Sequence, residues 1–331
     1  RKGRRMLRRT LTPLFVLVLF MSMPGCGPVK YTYPADQVPQ AIEKICKEEF
    51  KTDVEAQVVG KNVGVLMFTD KLLDDSGQID RDTHELMWKV MSASTRVALS
   101  TDLSLDFCTV VVRQRDDSDK ENPVELLMIR STEDTRRANA DMFSTEETFY
   151  RTLLTPNKYQ PEPQKPFDLE ETKMENFLAK QIAQRLQVNL AAAGREEGKN
   201  KSAEELSEAA EQKHFIMTEG VYDLDDGKKT YHFSVISMTS QKPKDMMLAI
   251  FKTVSDILKG YNFTDYEQVE IYDYFNRQKL SIDKESLLRY QKKKISDEEI
   301  LAKYVTESKS IQEAFQIFGF SPPPVGTAKS E

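Results

Sequence analysis

Apolar residues in this chain recur in two rhythms, one helical and one alternating. Val38, Ile42, Ile45, Cys46 and Phe50 return at helical spacing after Tyr33-Pro34, which predicts an amphipathic helix. Residues 54–59 and 63–68 alternate on either side of Gly60-Lys61-Asn62 and predict a hairpin. Leu86, Val90, Ala93 and Val97 stripe a helix over 84–99, and residues 105–112 and 124–129 read as two strands joined by a polar loop. Residues 144–154 read as a helix. Its Ser144 and Glu147 form a capping box, each satisfying a free amide of the first turn.

The second half repeats this order. Met174, Phe177, Leu178, Ile182, Leu186 and Leu190 mark a long amphipathic helix, followed by a charged, alanine-rich stretch at 194–212 that reads as a solvated insert. Residues 215–221 and 230–238 predict a hairpin whose tight turn is Asp226-Gly227, a pair suited to positive φ. Met247, Ile250, Phe251, Val254 and Leu258 stripe the next helix. Residues 266–274 form a strand, 278–282 a short one, and helices run over 283–318 with capping boxes at Ser296/Glu299 and Ser310/Glu313.

A faint self-alignment accompanies the repeated order. Residues 106–112 match residues 265–271, 159 positions later, and Met87/Met246, Met91/Ile250, Ala98/Ile257 and Leu99/Leu258 share that offset. Leu127/Leu280 and Ile129/Ile282 align at 153, and residues 143–147 align with 295–299 at 152. The expected fold class is α+β: two related domains, each a mostly antiparallel sheet covered by amphipathic helices, arising by internal duplication. The first domain spans 35–158. A proline-rich linker at 159–170 follows, marked by Pro161, Pro163 and Pro166 with Pro156 just before it. The second domain spans 171–320, and the tail 321–331, with Pro322-Pro323-Pro324, is expected to be disordered.

The amino terminus changes this picture from a soluble pair of domains to an exported one. Arg4, Arg5, Arg8 and Arg9 precede a short apolar run from Leu11 through Met21, too short for the roughly 20 residues a spanning helix needs. Met6 offers an alternative start that retains this apolar run. The run ends at Met23-Pro24-Gly25-Cys26, which resembles the lipobox of bacterial lipoproteins. The resemblance implies a signal peptide over 1–25, cleavage between Gly25 and Cys26, and lipid on Cys26 with a short tether at 26–34. Gly27 stands where an aspartate is associated with inner-membrane retention. The resemblance therefore implies an outer-membrane lipoprotein facing the periplasm, with the membrane and an envelope protein as partners.

Of the 331 residues, 47 are basic and 53 acidic, a net charge of −6. Arg1, Lys2, Arg4, Arg5, Arg8 and Arg9 leave with the signal, which takes the mature balance to −12. Such an acidic body argues against nucleic acid as a partner. With Cys26 assigned to lipid, Cys46 and Cys108 remain. Two readings stay open for them, a disulfide permitted by an oxidising periplasm or two small buried hydrophobes.

Catalytic chemistry is hard to assemble from this sequence. His84-Glu85 lacks the second histidine of a zinc helix, since Trp88 stands in its place. His214 and His232 sit on the two sides of the second hairpin without further ligands. The acidic loop 74–80 resembles a calcium loop only in part, because Leu72 and Thr83 occupy the first and last ligand positions. Ser94, Ser100 and Ser104 have no matched histidine and acid. Tyr222, Tyr231, Tyr261, Tyr266, Tyr272 and Tyr274 read as sheet packing before they read as a glycan platform. The expectation is a non-catalytic binding or scaffold lipoprotein with no catalytic residue, no cofactor and no metal. A binder of small ligands in the cleft between domains and a carboxylate-based cell-wall hydrolase are the alternatives.

Overall fold

The computed structural model describes residues 31–115, 123–158, 169–198, 216–237, 242–308 and 317–318, with side chains to 193 in the third stretch. The expected signal peptide, Gly25, Cys26, most of the expected tether and linker, residues 199–212 of the charged stretch, His214, the Ser310/Glu313 box and the tail lie outside the described residues. No described helix is long and apolar enough to cross a membrane.

The first half runs α1 (Val38–Phe50), β1 (Val54–Val59), β2 (Asn62–Thr69), α2 (Arg81–Ala98), β3 (Phe107–Gln114), β4 (Val124–Ser131), α3 (Thr132–Asn139), α4 (Thr145–Tyr150) and β5 (Leu153–Lys158). The second runs α5 (Met174–Gly198), β6 (Ile216–Asp225), β7 (Lys228–Ser237), α6 (Pro243–Gly260), β8 (Gln268–Asp273), β9 (Gln278–Asp283), α7 (Lys284–Gln291), α8 (Asp297–Tyr304) and β10 (Val305–Glu307). Each half builds one five-stranded sheet in chain order. Both sheets have one parallel pair, β2–β3 and β7–β8, and are otherwise antiparallel. The fold is therefore α+β, with one topology used twice.

Equivalent backbone bonds fix the correspondence between the halves. Asp106 N–H donates to Lys61 O and Asp106 O accepts from Thr132 N–H; Glu267 repeats both bonds with Lys229 and Lys284. Asp106 and Glu267 stand 161 positions apart, so the offset of 159 is two residues short. A slip of two along a strand keeps every side chain on its own face, and hydrophobic alternation cannot detect it. The turn after α3, with Asp141 at φ 55°, is remade after α7 with Lys293 at φ 58°, at the expected offset of 152.

The pairing of Leu127 with Leu280 is a different error. The register Phe107↔Ser131 and Gln268↔Asp283 makes Met128 the counterpart of Leu280, so Leu127 and Ile129 face the opposite way from Leu280 and Ile282. The cause is burial of β4 on both faces. Met128 joins Val110, Met91 and Ile42 in the core under α1 and α2. Ile129, Phe107 and Leu153 on the other face join Phe177, Leu178 and Ile182 of α5 in the core of the second half. A strand buried on both faces loses its alternation.

Three other expectations are corrected. The helix over 144–154 stops at Tyr150, and Leu153 starts edge strand β5, where Pro156 is tolerated because one side of the strand is unpaired. Between the strand expected at 124–129 and the helix expected at 144–154, where the sequence pattern assigns no element, lies α3. The helical run over 283–318 is broken by β10. At the start of the fold, Thr32 and Tyr33 N–H both donate to Ser100 O, at 2.9 and 3.1 Å, so these residues are docked on the first half.

Cys46 and Cys108 are free, buried thiols, and no disulfide joins them. Cys46 lies on α1 and Cys108 on β3, both in the core beneath α1 and α2, where they pack as small apolar side chains. Burial pushes the Cys46 thiol up to about 11 and the Cys108 thiol to about 12. Neither should react with a disulfide reagent at pH 8 in the folded protein, and both should react once it is unfolded in denaturant; a fast native reaction would contradict this packing. A second expectation concerns Gly220, where an added Cβ would strike the Ala179 carbonyl of α5. Gly220→Ala should lower stability by about 1–3 kcal/mol in denaturant titration.

Candidate functional site

Two polar clusters stand out from this framework. The first joins the halves. Asp134 on α3 is 3% exposed. Its Oδ1 accepts from Arg151 Nη1 at 3.0 Å, and its Oδ2 accepts from the hydroxyl of Tyr261, just past the end of α6. Arg151 Nε donates to Glu147 at 2.8 Å, and Glu147 also receives Arg185 of α5 at 3.2 Å. Burial pushes the Asp134 carboxyl up, opposed by Tyr261 and Arg151. The Tyr261 phenol is raised well above its ordinary value by burial and by Asp134. Gln184 of α5 completes the seam, accepting from Leu154 N–H at 2.8 Å and donating to Thr152 O at 2.9 Å. These bonds occupy the edge of the contact between the halves as structural pairs.

The second cluster lies on the outer face of the second sheet, away from α5 and α6. Alternation along β8 sends Val269 and Ile271 to the core and Gln268, Glu270 and Tyr272 outward. Neighbouring strands add His232 from β7 and Lys279 and Ser281 from β9. Glu270 is 6% exposed and surrounded by donors. Lys279 Nζ lies 2.8 Å from Oε1, the Tyr272 hydroxyl 2.6 Å from Oε2 and Gln268 Nε2 3.0 Å from Oε1, with His232 Nδ1 at 3.5 Å from Oε2. His232, Lys279 and Tyr272 together hold the carboxyl far below the usual carboxylate range despite its burial. Such a group is a fixed anion, unsuited to passing a proton near neutral pH. Beside it Tyr272 stacks on Tyr274 at 5.8 Å, and Ile236, Met217 and Phe318 pack against the pair.

The other residues singled out in the sequence are scattered. His84 Nε2 accepts from Trp88 Nε1 at 3.0 Å, and Trp88 stacks on Phe149 with the Arg130 guanidinium 4.9 Å above it. Asp74 spends Oδ1 on Ser76 and Gln78 of its own loop. Ser94 donates to Val90 O within α2. Tyr231 and Tyr266 are core residues, and only Tyr272 and Tyr274 of the six tyrosines share the outer face with Glu270. Among the described residues no group of three or more histidine, cysteine or acidic side chains is placed to hold a metal. Sequence reading missed Asp134 because α3 buries Thr132, Asp134 and Thr135, a face with no apolar signal. It missed Glu270 because nothing in the spacing of His232, Glu270 and Lys279 announces that three strands bring them together.

No family model matches the chain. No curated protein matches it either. Among solved structures, the chain is similar to one described as the crystal structure of a sex pheromone staph-cAM373 precursor. That likeness has 9% identity and a TM-score of 0.21, and covers 77% of this chain and 79% of that one. A TM-score of that size carries no argument about this chain.

Glu270 makes a pH prediction. Its pKa is depressed in the fold, so its contribution is present above the unfolded value near 4.3 and is lost as pH falls from there toward the folded value. Glu270→Gln should cost about 1–3 kcal/mol at pH 7, because Lys279 loses its counter-charge, and should flatten the decline in stability below pH 4.5. Parallel acid limbs for the two proteins in pH-dependent urea melts would sink the assignment. Tyr261→Phe, which leaves Asp134 Oδ2 without its donor, should cost about 1–3 kcal/mol in the same assay.

Proposed function

We propose that the protein is a bacterial envelope lipoprotein, held on a membrane by lipid at Cys26, that works by binding and scaffolding and has no catalytic step. The observation that carries this reading is the arginine-led apolar run ending in Met23-Pro24-Gly25-Cys26. Gly27 after the lipid site favours the outer membrane, with the two domains in the periplasm. A lipid anchor confines the body to a thin layer and raises its local concentration for partners there.

The carboxylates support binding over hydrolysis. Among the described residues burial raises the carboxyls of Asp134, Asp273 and half-buried Glu219; Arg151 and Tyr261 engage the first, Asn276 the second, and the third stands on β6 with Lys180 opposing its shift. A protein partner is supported by the second hairpin. Its strand β6 is one of the two edge strands of the second sheet and leaves Val221 and Leu224 at 45% and 66% exposure.

The reading is tested by expressing the full precursor and Cys26→Ala in a diderm bacterium with a radiolabelled fatty acid. Wild type should be labelled and sediment with membranes, and the variant should carry no label and leave the membrane fraction. Equal behaviour without label would refute the anchor.

A further inference from the structure

Helices α6, α7 and α8 line an open cleft of about 640 Å³ in the second half, a volume within the range of small-molecule sites. Its charges are unevenly matched. Lys252 Nζ lies 2.6 Å from Asp297 Oδ2, and the Tyr290 hydroxyl donates to Asp297 Oδ1 at 2.9 Å. Lys252 and Tyr290 thereby engage both oxygens and hold that carboxyl below its usual range. Lys259, Lys293 and Lys294 line the same cleft without a carboxylate partner among the described residues; Lys259 Nζ donates to Gln291 O at 3.4 Å. Ser255 also lines it, at 1% exposure, and its hydroxyl has no hydrogen-bond partner among the described residues. A buried hydroxyl without a partner marks a place where a bound group or water completes the bonding.

The duplication shows that these lysines are not demanded by the backbone. Lys293 and Lys294 occupy the turn that Asp141 and Met142 occupy in the first half, made by the same bonds: Met142 N–H to Arg137 O there, Lys294 N–H to Arg289 O here. The same turn is thus built with one acid and one thioether in the first half, and with two ammonium groups where the cleft opens.

We propose that this cleft binds a phosphate-bearing ligand, gripped by Lys259, Lys293 and Lys294, with the Ser255 hydroxyl as a further partner. Separate ammonium groups spread around a cavity suit a tetrahedral anion, whose oxygens accept from several directions, better than a planar carboxylate. Asp256 and Glu299 at the rim are exposed and reduce the local positive charge, so the expected affinity is modest. The proposal goes beyond the lipoprotein reading and does not depend on the anchor.

The test is calorimetric titration of the detergent-solubilised full chain at low salt with glycerol 3-phosphate, and separately with dihexanoyl phosphatidylglycerol against dihexanoyl phosphatidylcholine. Saturable binding of glycerol 3-phosphate should weaken about tenfold or more in Lys259→Gln/Lys293→Gln/Lys294→Gln. It should persist within about twofold in Lys293→Arg/Lys294→Arg and in the control Lys44→Gln/Lys47→Gln on α1. Matching thermal melts show that the variants fold. Binding of the phosphatidylglycerol probe alone, lost in the triple variant, assigns the phosphate to a lipid headgroup. No saturable binding to either probe, or equal loss in the α1 control, overturns the proposal.

Discussion

The architecture depends on burial of the first sheet from both sides. One face rests on α1 and α2, and the other lies against α5, which belongs to the second half and also covers β6 and β7. Phe107 meets Phe177 across this seam with ring centroids 5.0 Å apart. Fully burying a side chain of this size contributes about 1.5–3 kcal/mol. The layers therefore run helices, sheet, helices, sheet. Because α5 serves two sheets, the halves are repeats in topology while sharing one apolar core.

That sharing explains why the seam is polar at its edge. Where α3, α4 and the end of α6 approach one another, apolar packing gives way to Tyr261, Asp134, Arg151, Glu147 and Arg185, each bonded to the next. Buried charges persist only when paired and hydrogen-bonded, and this chain of partners meets that requirement. It also makes the contact directional. Gln184 uses both ends of its amide there, accepting from Leu154 N–H and donating to Thr152 O.

Much of this was legible in the amino-acid pattern. The bounds of α1, the hairpin turn at Gly60, the Asp226-Gly227 turn and the caps at Ser144 and Ser296 follow from local chemistry that tertiary structure left intact. What failed was long-range information. Leu127 and Ile129 gave no hint of which face they serve, since both faces of β4 are apolar. α3 hid its helix because its buried positions are Thr132, Asp134 and Thr135. β5 was absorbed into a helix because Leu153 and Leu154 continue a helical spacing. The Glu270 cluster and the lysine cleft are assembled from separate elements, and no single window of the chain contains either.

The outer face of the second sheet can also be considered as the end of a stack. A duplicated unit whose first sheet accepts the next unit's helices has, in principle, no reason to stop at two. In the first half the positions matching Lys279 and Ser281 are Leu127 and Ile129, which lie under α5. In the second half the same surface carries a buried carboxylate ringed by lysine, histidine, tyrosine and glutamine. Covering that ring with another apolar helix would strip its remaining hydration and bring no new partners. Glu270 and its neighbours therefore make this face less suited than its counterpart in the first half to take a further apolar helix, much as the outer faces of end repeats in solenoid proteins are polar.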